Sequence, residues 1–215
     1  MIRFSDEDQM YILGDIIDRN PDGIAVLREI MSAGNMHMLL GNHEYMMINA
    51  VENPETPVGT WITNLGLWYL NGGAVTEKAF NALELDVQKG IIDYMKNLPL
   101  TIEVICNEKR YLLAHGSPES MYREGCPYAD KTEFAVWNRF DPRADRFNPN
   151  KTLICGHTPT IHFSSKVPME VFRSHNMLFL DCGCAYSSGE GGRLACLRLE
   201  TQEVFYSDGE RRKLK

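Results

Sequence analysis

No apolar run in this chain approaches the length of a membrane-spanning helix, and the opening Met1-Ile2-Arg3-Phe4-Ser5-Asp6-Glu7-Asp8 lacks the character of a secretory leader. No membrane partner is expected. Basic residues are outnumbered, 22 Lys and Arg against 29 Asp and Glu, giving a net charge of −7 and a pI near 5.4. That argues against indiscriminate binding to nucleic acid, although a local basic pocket survives such an average. Repeats, low-complexity tracts and long linkers are also absent, so a single domain over 1–215 is expected. Cysteine is present but without a disulfide-scaffold rhythm: Cys106, Cys126, Cys155, Cys182, Cys184 and Cys196 sit mostly inside apolar runs. They read as reduced thiols in a cytoplasmic protein. Cys182-x-Cys184 has no second ligand pair and is weak as a zinc site.

What is there is a set of short apolar runs that each break into polar chemistry. Met10-Tyr11-Ile12-Leu13 ends in Gly14-Asp15-Ile16-Ile17-Asp18-Arg19, and Met36 to Leu40 ends in Gly41-Asn42-His43-Glu44. Tyr111 to Ala114 ends in His115-Gly116, and Thr152 to Cys155 in Gly156-His157-Thr158-Pro159. Two acids and a guanidinium crowded at a strand end are costly unless something polar or metallic waits there. Four such strand ends suggest one site at one edge of a sheet.

Between the first two runs, Asn20-Pro21-Asp22 has the form of a helix start, and Ile24, Leu27, Ile30 and Met31 recur at helical spacing before Gly34-Asn35. A parallel strand–helix–strand unit from Met10 to Leu40 follows. Residues 45–99 read as a helical cap broken at Asn53–Pro57 and Asn71–Gly73, with Thr76 as an N-cap and Trp61, Trp68 and Tyr69 in the cap core. Leu100 to Cys106 and Arg110 to Ala114 form a hairpin about Asn107-Glu108-Lys109. Ser117 to Asn150 reads as loop, and Met177–Leu180, Arg193–Leu199 and Glu203–Tyr206 as sequential antiparallel strands.

Asp15, Asn42, His115 and His157 offer a carboxylate, an amide oxygen and two imidazoles, a mixture suited to Mn²⁺, Fe²⁺ or Zn²⁺ rather than to Ca²⁺ or Mg²⁺. Such an ion orients a phosphate oxygen and acidifies water. Arg19 can grip phosphate oxygens in bidentate fashion, and His43 can protonate a leaving alkoxide while Asp18 holds its ring. His37, His162 and His175 read as ordinary polar side chains.

Taken in order, Gly14-Asp15-x-x-Asp18-Arg19, Gly41-Asn42-His43-Glu44, His115-Gly116 and Gly156-His157 resemble the motifs of the calcineurin-like metallophosphoesterases, in the branch of the phosphoprotein phosphatases and their bacterial serine/threonine relatives. The resemblance runs from about Met10 to the C-terminus. It implies an α/β (α+β) fold, a β-sandwich flanked by helices with the cap inserted. It also implies that Asp15 is a metal-bridging carboxylate, that Asn42, His115 and His157 complete a second metal site, that Arg19 binds phosphate and that Asp18–His43 is the acid dyad. Trp137-Asn138-Arg139 is similar to the Trp-x-Arg of bacterial members, which makes Arg139 a candidate second phosphate clamp. The substrate expected is a phosphoprotein or small phosphoester. Alternatives are a dinucleoside polyphosphate such as diadenosine tetraphosphate, and a non-catalytic phosphate- or partner-binding homologue.

The family's Asp-x-His motif, which supplies two ligands of the first of its two metals, has no counterpart here, and Pro159 takes the last position of a Gly-His-x-His. Truncation, a natural one-metal enzyme and a degenerate homologue all fit. The expectation is a chain missing its first strand, with at most one metal and impaired hydrolysis, able to self-associate at the exposed gap in the sheet.

Overall fold

A computed structural model describes residues 4–186 and 188–214. The described residues divide into two compact units, Asp6–Pro99 and the residues from Leu100 onward. Among the described residues no helix is long and apolar enough to cross a membrane.

The first unit opens with β1 (Met10–Ile12), α1 (Gly23–Ser32) and β2 (Met36–Met38). The two strands are parallel, with Met10 opposite Met36 and Ile12 opposite Met38, as the apolar runs required. Helix α1 buries Ile24, Leu27 and Ile30, the helical stripe seen in the sequence. It starts at Gly23 rather than Pro21, because the Asn20 side chain accepts the Asp22 N–H (2.9 Å) and forms a turn instead of a cap. Next come α2 (Asn42–Glu52), a small hairpin of β3 (Pro57–Val58) and β4 (Ile62–Thr63), α3 (Asn64–Leu70), α4 (Ala74–Asn81) and α5 (Leu85–Lys96). Their shared interior holds Met46, Met47, Trp68, Phe80, Ile91, Ile92 and Met95.

Two expectations fail in this region. Trp61, at the β3–β4 hairpin, is 76% exposed and Tyr69 is 41% exposed, so only Trp68 of the three aromatics is core. Thr76 lies inside α4, whose N-cap is Gly73, and its hydroxyl has a different task, described below.

The second unit carries β5 (Thr101–Cys106), β6 (Lys109–Ala114), α6 (Lys131–Trp137), β7 (Thr152–Cys155), β8 (Phe172–Ser174) and β9 (Met177–Phe179). The β5–β6 hairpin turns through Asn107 and Glu108, both at positive φ (47° and 62°), the backbone that a two-residue hairpin demands. The sheet order is β5-β6-β7-β9-β8, with β6, β7 and β9 parallel and the outer pairs antiparallel. Interior strand β7 is almost wholly buried, and Ala114, Phe140, Leu153, Cys155, Met177 and Phe179 form one core cluster.

Strands β10 (Ala195–Arg198), β11 (Glu203–Tyr206) and β12 (Arg211–Lys213) form a separate antiparallel sheet. The expected antiparallel series is thus right for β10 and β11, whereas β9 runs parallel to β7 inside the larger sheet. The four site-bearing strands are shared between two sheets rather than one: β1 and β2 pair with each other, and β6 and β7 lie side by side in the five-stranded sheet. Helix α6 falls in a stretch expected to be loop; Asp130 caps it, accepting the N–H groups of Thr132 and Glu133 at 2.7 and 2.9 Å.

Candidate metal centre

In the first unit the loop after β1 is contorted. Gly14, Asp15, Asp18 and Arg19 all have positive φ (91°, 59°, 77° and 64°), and the Asn20 N–H reaches the Asp18 carbonyl at 2.7 Å in a γ-turn centred on Arg19. Left-handed backbone at non-glycine residues costs on the order of 1–3 kcal/mol each and persists only where its surroundings enforce it.

The enforcer is Glu44, fully buried in the first turn of α2. Its carboxylate accepts four backbone N–H groups: Asp15 (2.8 Å), Ile16 (2.9 Å), Ile17 (3.4 Å) and Gly41 (3.1 Å). One side chain thereby pins the Asp15 loop to the start of the helix that carries Asn42 and His43. Gly41 admits the loop closely; a Cβ there would lie 2.4 Å from Asp15 Oδ1 and 2.5 Å from Asp15 N.

Glu44→Gln replaces one acceptor oxygen with an NH₂ that must face N–H donors, so a loss of about 2 kcal/mol is expected, read as a lower urea midpoint.

His43 is buried between two partners. Its Nδ1 is 2.6 Å from Asp18 Oδ2, its Nε2 is 2.9 Å from an Arg19 guanidinium nitrogen, and its backbone N–H donates to Asp15 Oδ1 at 3.1 Å. Arg19 has only hydrogens to offer, so this arrangement places the lone pair on Nε2 and the proton on Nδ1. Burial pulls the imidazole pKa down, but the hydrogen bond to Asp18 and the charges of Asp15 and Asp18 outweigh burial and Arg19 together, raising it above the ordinary 6.5. Asn42, the first residue of α2, is buried beside it.

In the second unit, His115 and His157 follow the adjacent parallel strands β6 and β7. Both are buried, with ring centroids 5.0 Å apart at 54°. His157 sits at φ 62° at the centre of a γ-turn closed by the Thr158 N–H on the Gly156 carbonyl (2.6 Å). Its Nε2 faces the Trp137 carbonyl at 3.1 Å, which fixes the Nε2–H tautomer and leaves Nδ1 with a lone pair, the arrangement usual behind a metal-bound histidine.

The end of α6 is threaded tightly here. Gly116 and Ser117 N–H both donate to the Ala135 carbonyl (3.0 Å each), and the Asn138 amide donates to Ser117 Oγ (2.7 Å). Arg139 is exposed, with one guanidinium nitrogen given to the His157 carbonyl (3.2 Å) and Thr158 Oγ1 (3.0 Å).

Asp15 in the first unit and His115 and His157 in the second each offer one ligand atom of a kind that suits a divalent cation, an incomplete set that could serve at most one ion. His37 plays no part: it bonds Gln9 Oε1 at 2.7 Å and stacks on Tyr11. His162 and His175 are exposed. Sequence reasoning missed four contributors: Glu44, quoted only as part of a motif, the Trp137 carbonyl, and Trp68 and Thr76 behind Asp18.

A family model for calcineurin-like phosphoesterases matches residues 2–183, and the chain belongs to that family. Its mixed α/β architecture, a central sheet with helices, is the family's. Among curated relatives, serine/threonine-protein phosphatase 1 of Salmonella typhimurium is 29% identical over 54% of this chain and 50% of its own length. The symmetrical bis(5'-nucleosyl)-tetraphosphatase of Delftia acidovorans is 46% identical over 21% of this chain and 16% of that protein. The same-named protein of Nitrosospira multiformis is 20% identical over 97% of this chain and 88% of its own. The chain spans about half the length of the first of these relatives and less of the second.

Proposed function

We propose that this chain is a divalent-cation-dependent phosphoester hydrolase, with a dinucleoside polyphosphate as its first candidate substrate and a phosphoprotein as the second. The observation that carries the reaction class is the chain of contacts Asp18–His43–Arg19, a carboxylate, an imidazole and a guanidinium in series at 2.6 and 2.9 Å. Arg19 holds a phosphate oxygen, with Arg139 as a second clamp. Water adds to phosphorus, its proton passing to solvent, while the ester P–O bond breaks towards the leaving oxygen. With Arg19 turned from His43 to the phosphate, His43 Nε2 takes up a proton and supplies it to that oxygen while Asp18 keeps the ring aligned.

Asp15, Asn42, His115 and His157 would hold the cation, and their mixed oxygen and nitrogen donors suit Mn²⁺, Fe²⁺ or Zn²⁺. When bound, the ion supplies Lewis acidity towards phosphate and acidifies water.

The dinucleoside reading is favoured by the Nitrosospira relative, which aligns with nearly all of this chain; the phosphoprotein reading by the Salmonella one. Six unpaired cysteines support placing the protein in a reducing compartment.

Turnover of diadenosine tetraphosphate, a phosphoserine peptide and p-nitrophenyl phosphate, measured in parallel with Mn²⁺, ranks the two substrates. Inertness on all three, with retained phosphate binding, would make the chain a binding module. Metal analysis should find no more than one ion per chain, and two would refute the single donor set.

A further inference from the structure

We infer that Trp68 and Thr76, on α3 and α4, are positioning residues for the Asp18–His43 pair, so that the helical segment after α2 sets the geometry of proton delivery. The inference rests on the reading of His43 as the proton donor.

The Asp18 side chain is wholly buried, and such a carboxylate needs a donor for each oxygen. One oxygen takes the His43 ring at 2.6 Å. The indole N–H of Trp68 bridges both, at 3.1 Å to Oδ1 and 3.0 Å to Oδ2. An indole has one donor and no acceptor, and Trp68, 1% exposed, spends that donor on Asp18. For packing alone a phenylalanine or leucine would serve. The N–H adds a fixed direction for the carboxylate plane, and hence for the imidazole bonded to it.

The backbone beneath is held from the same segment. The Asp18 N–H donates to Thr76 Oγ1 at 2.9 Å, and the Arg19 N–H donates to the Gly72 carbonyl at 3.1 Å. Asp18 and Arg19 are among the residues held at positive φ, so these two bonds act where the backbone most needs holding. Trp68 and Thr76 lie 50 and 58 residues from Asp18 in sequence, and together they fix both its side chain and its main chain.

A proton donor matters in proportion to the basicity of the leaving oxygen: an alkoxide needs the proton, whereas a nitrophenolate departs without it. Loss of positioning therefore shows as altered leaving-group selectivity, whereas general loosening lowers all rates alike. In Trp68→Phe, which keeps the ring and removes the donor, kcat/KM on a phosphoserine peptide should fall about 10–100-fold, the usual range for a supporting hydrogen bond, and on p-nitrophenyl phosphate about threefold or less. Thr76→Val should follow the same pattern and Thr76→Ser should recover it. Equal losses on both esters, or no loss on either, would overturn the inference.

A second measurement needs no turnover. With ¹⁵N-labelled tryptophan, the Trp68 indole proton, assigned from Trp68→Phe, should resonate downfield as a carboxylate-bound N–H and move upfield in Asp18→Asn. An unmoved resonance overturns the inference. A wild-type chain inert on every ester while the resonance shifts would instead count against the hydrolase reading alone.

Discussion

Asp15→Asn is expected to abolish Mn²⁺ binding detectable by calorimetry and to cut metal-dependent turnover of p-nitrophenyl phosphate about a thousandfold. The substitution is nearly isosteric. Asparagine keeps an oxygen to accept the His43 N–H, and the loop is held through the main-chain N–H of residue 15, so the urea midpoint should hardly change. What is lost is the anionic ligand. A bound ion contributes several kcal/mol of charge stabilisation, and each 1.36 kcal/mol is a factor of ten, hence the thousandfold estimate. His157→Ala should give a loss of the same order. Combining the two should add little, because residues that serve one ion fail together. Additive losses would mean that Asp15 and His157 act separately, and the proposed shared ion would have to be abandoned.

Gly116→Ala should be strongly damaging to the second unit. A Cβ at residue 116 would lie 2.7 Å from the Asn138 carbonyl oxygen and 2.8 Å from that of Ala135. Both obstacles are backbone, so neither can swing aside as a side chain would. Overpacking usually costs 1–3 kcal/mol, and with two rigid carbonyls in the way about 3 kcal/mol is expected. The Ala135 carbonyl also receives the Gly116 and Ser117 N–H groups, so pushing it away would unseat the residues after His115. A urea midpoint within error of wild type would show that the α6 end yields more easily than this packing allows.

Much of this was legible in the residues. The β1–α1–β2 unit could be read because a strand run, a helical stripe and a second strand run each carry a local period. The β5–β6 hairpin could be read because Asn107-Glu108 interrupts two strand-forming stretches. His115 and His157 stood out because each ends an apolar run.

The losses have a common cause. Thr76 at a helix start looks like a cap, yet its hydroxyl serves a residue 58 positions away, and no local pattern records that. Trp61 and Tyr69 have the composition of core but lie on the surface, since hydrophobicity says what can be buried and not what is. The antiparallel series failed at β9 because strand direction depends on which neighbour is chosen, a decision made by β7. Glu44 was visible as a letter in a motif; its role rests on four main-chain donors that carry no side-chain signature.

The placement of His115 and His157 has a consequence for how this part of the molecule can diversify. They follow neighbouring strands whose last paired residues, Ala114 and Cys155, face each other in register, and their rings stand 5.0 Å apart, close to the roughly 4.8 Å pitch of any β ladder. The gap between the imidazoles is therefore inherited from peptide geometry and does not need to be tuned by the intervening chain. Insertions or deletions between Pro118 and Ala129, ahead of α6, could reshape whatever approaches the pair while its spacing stayed the same.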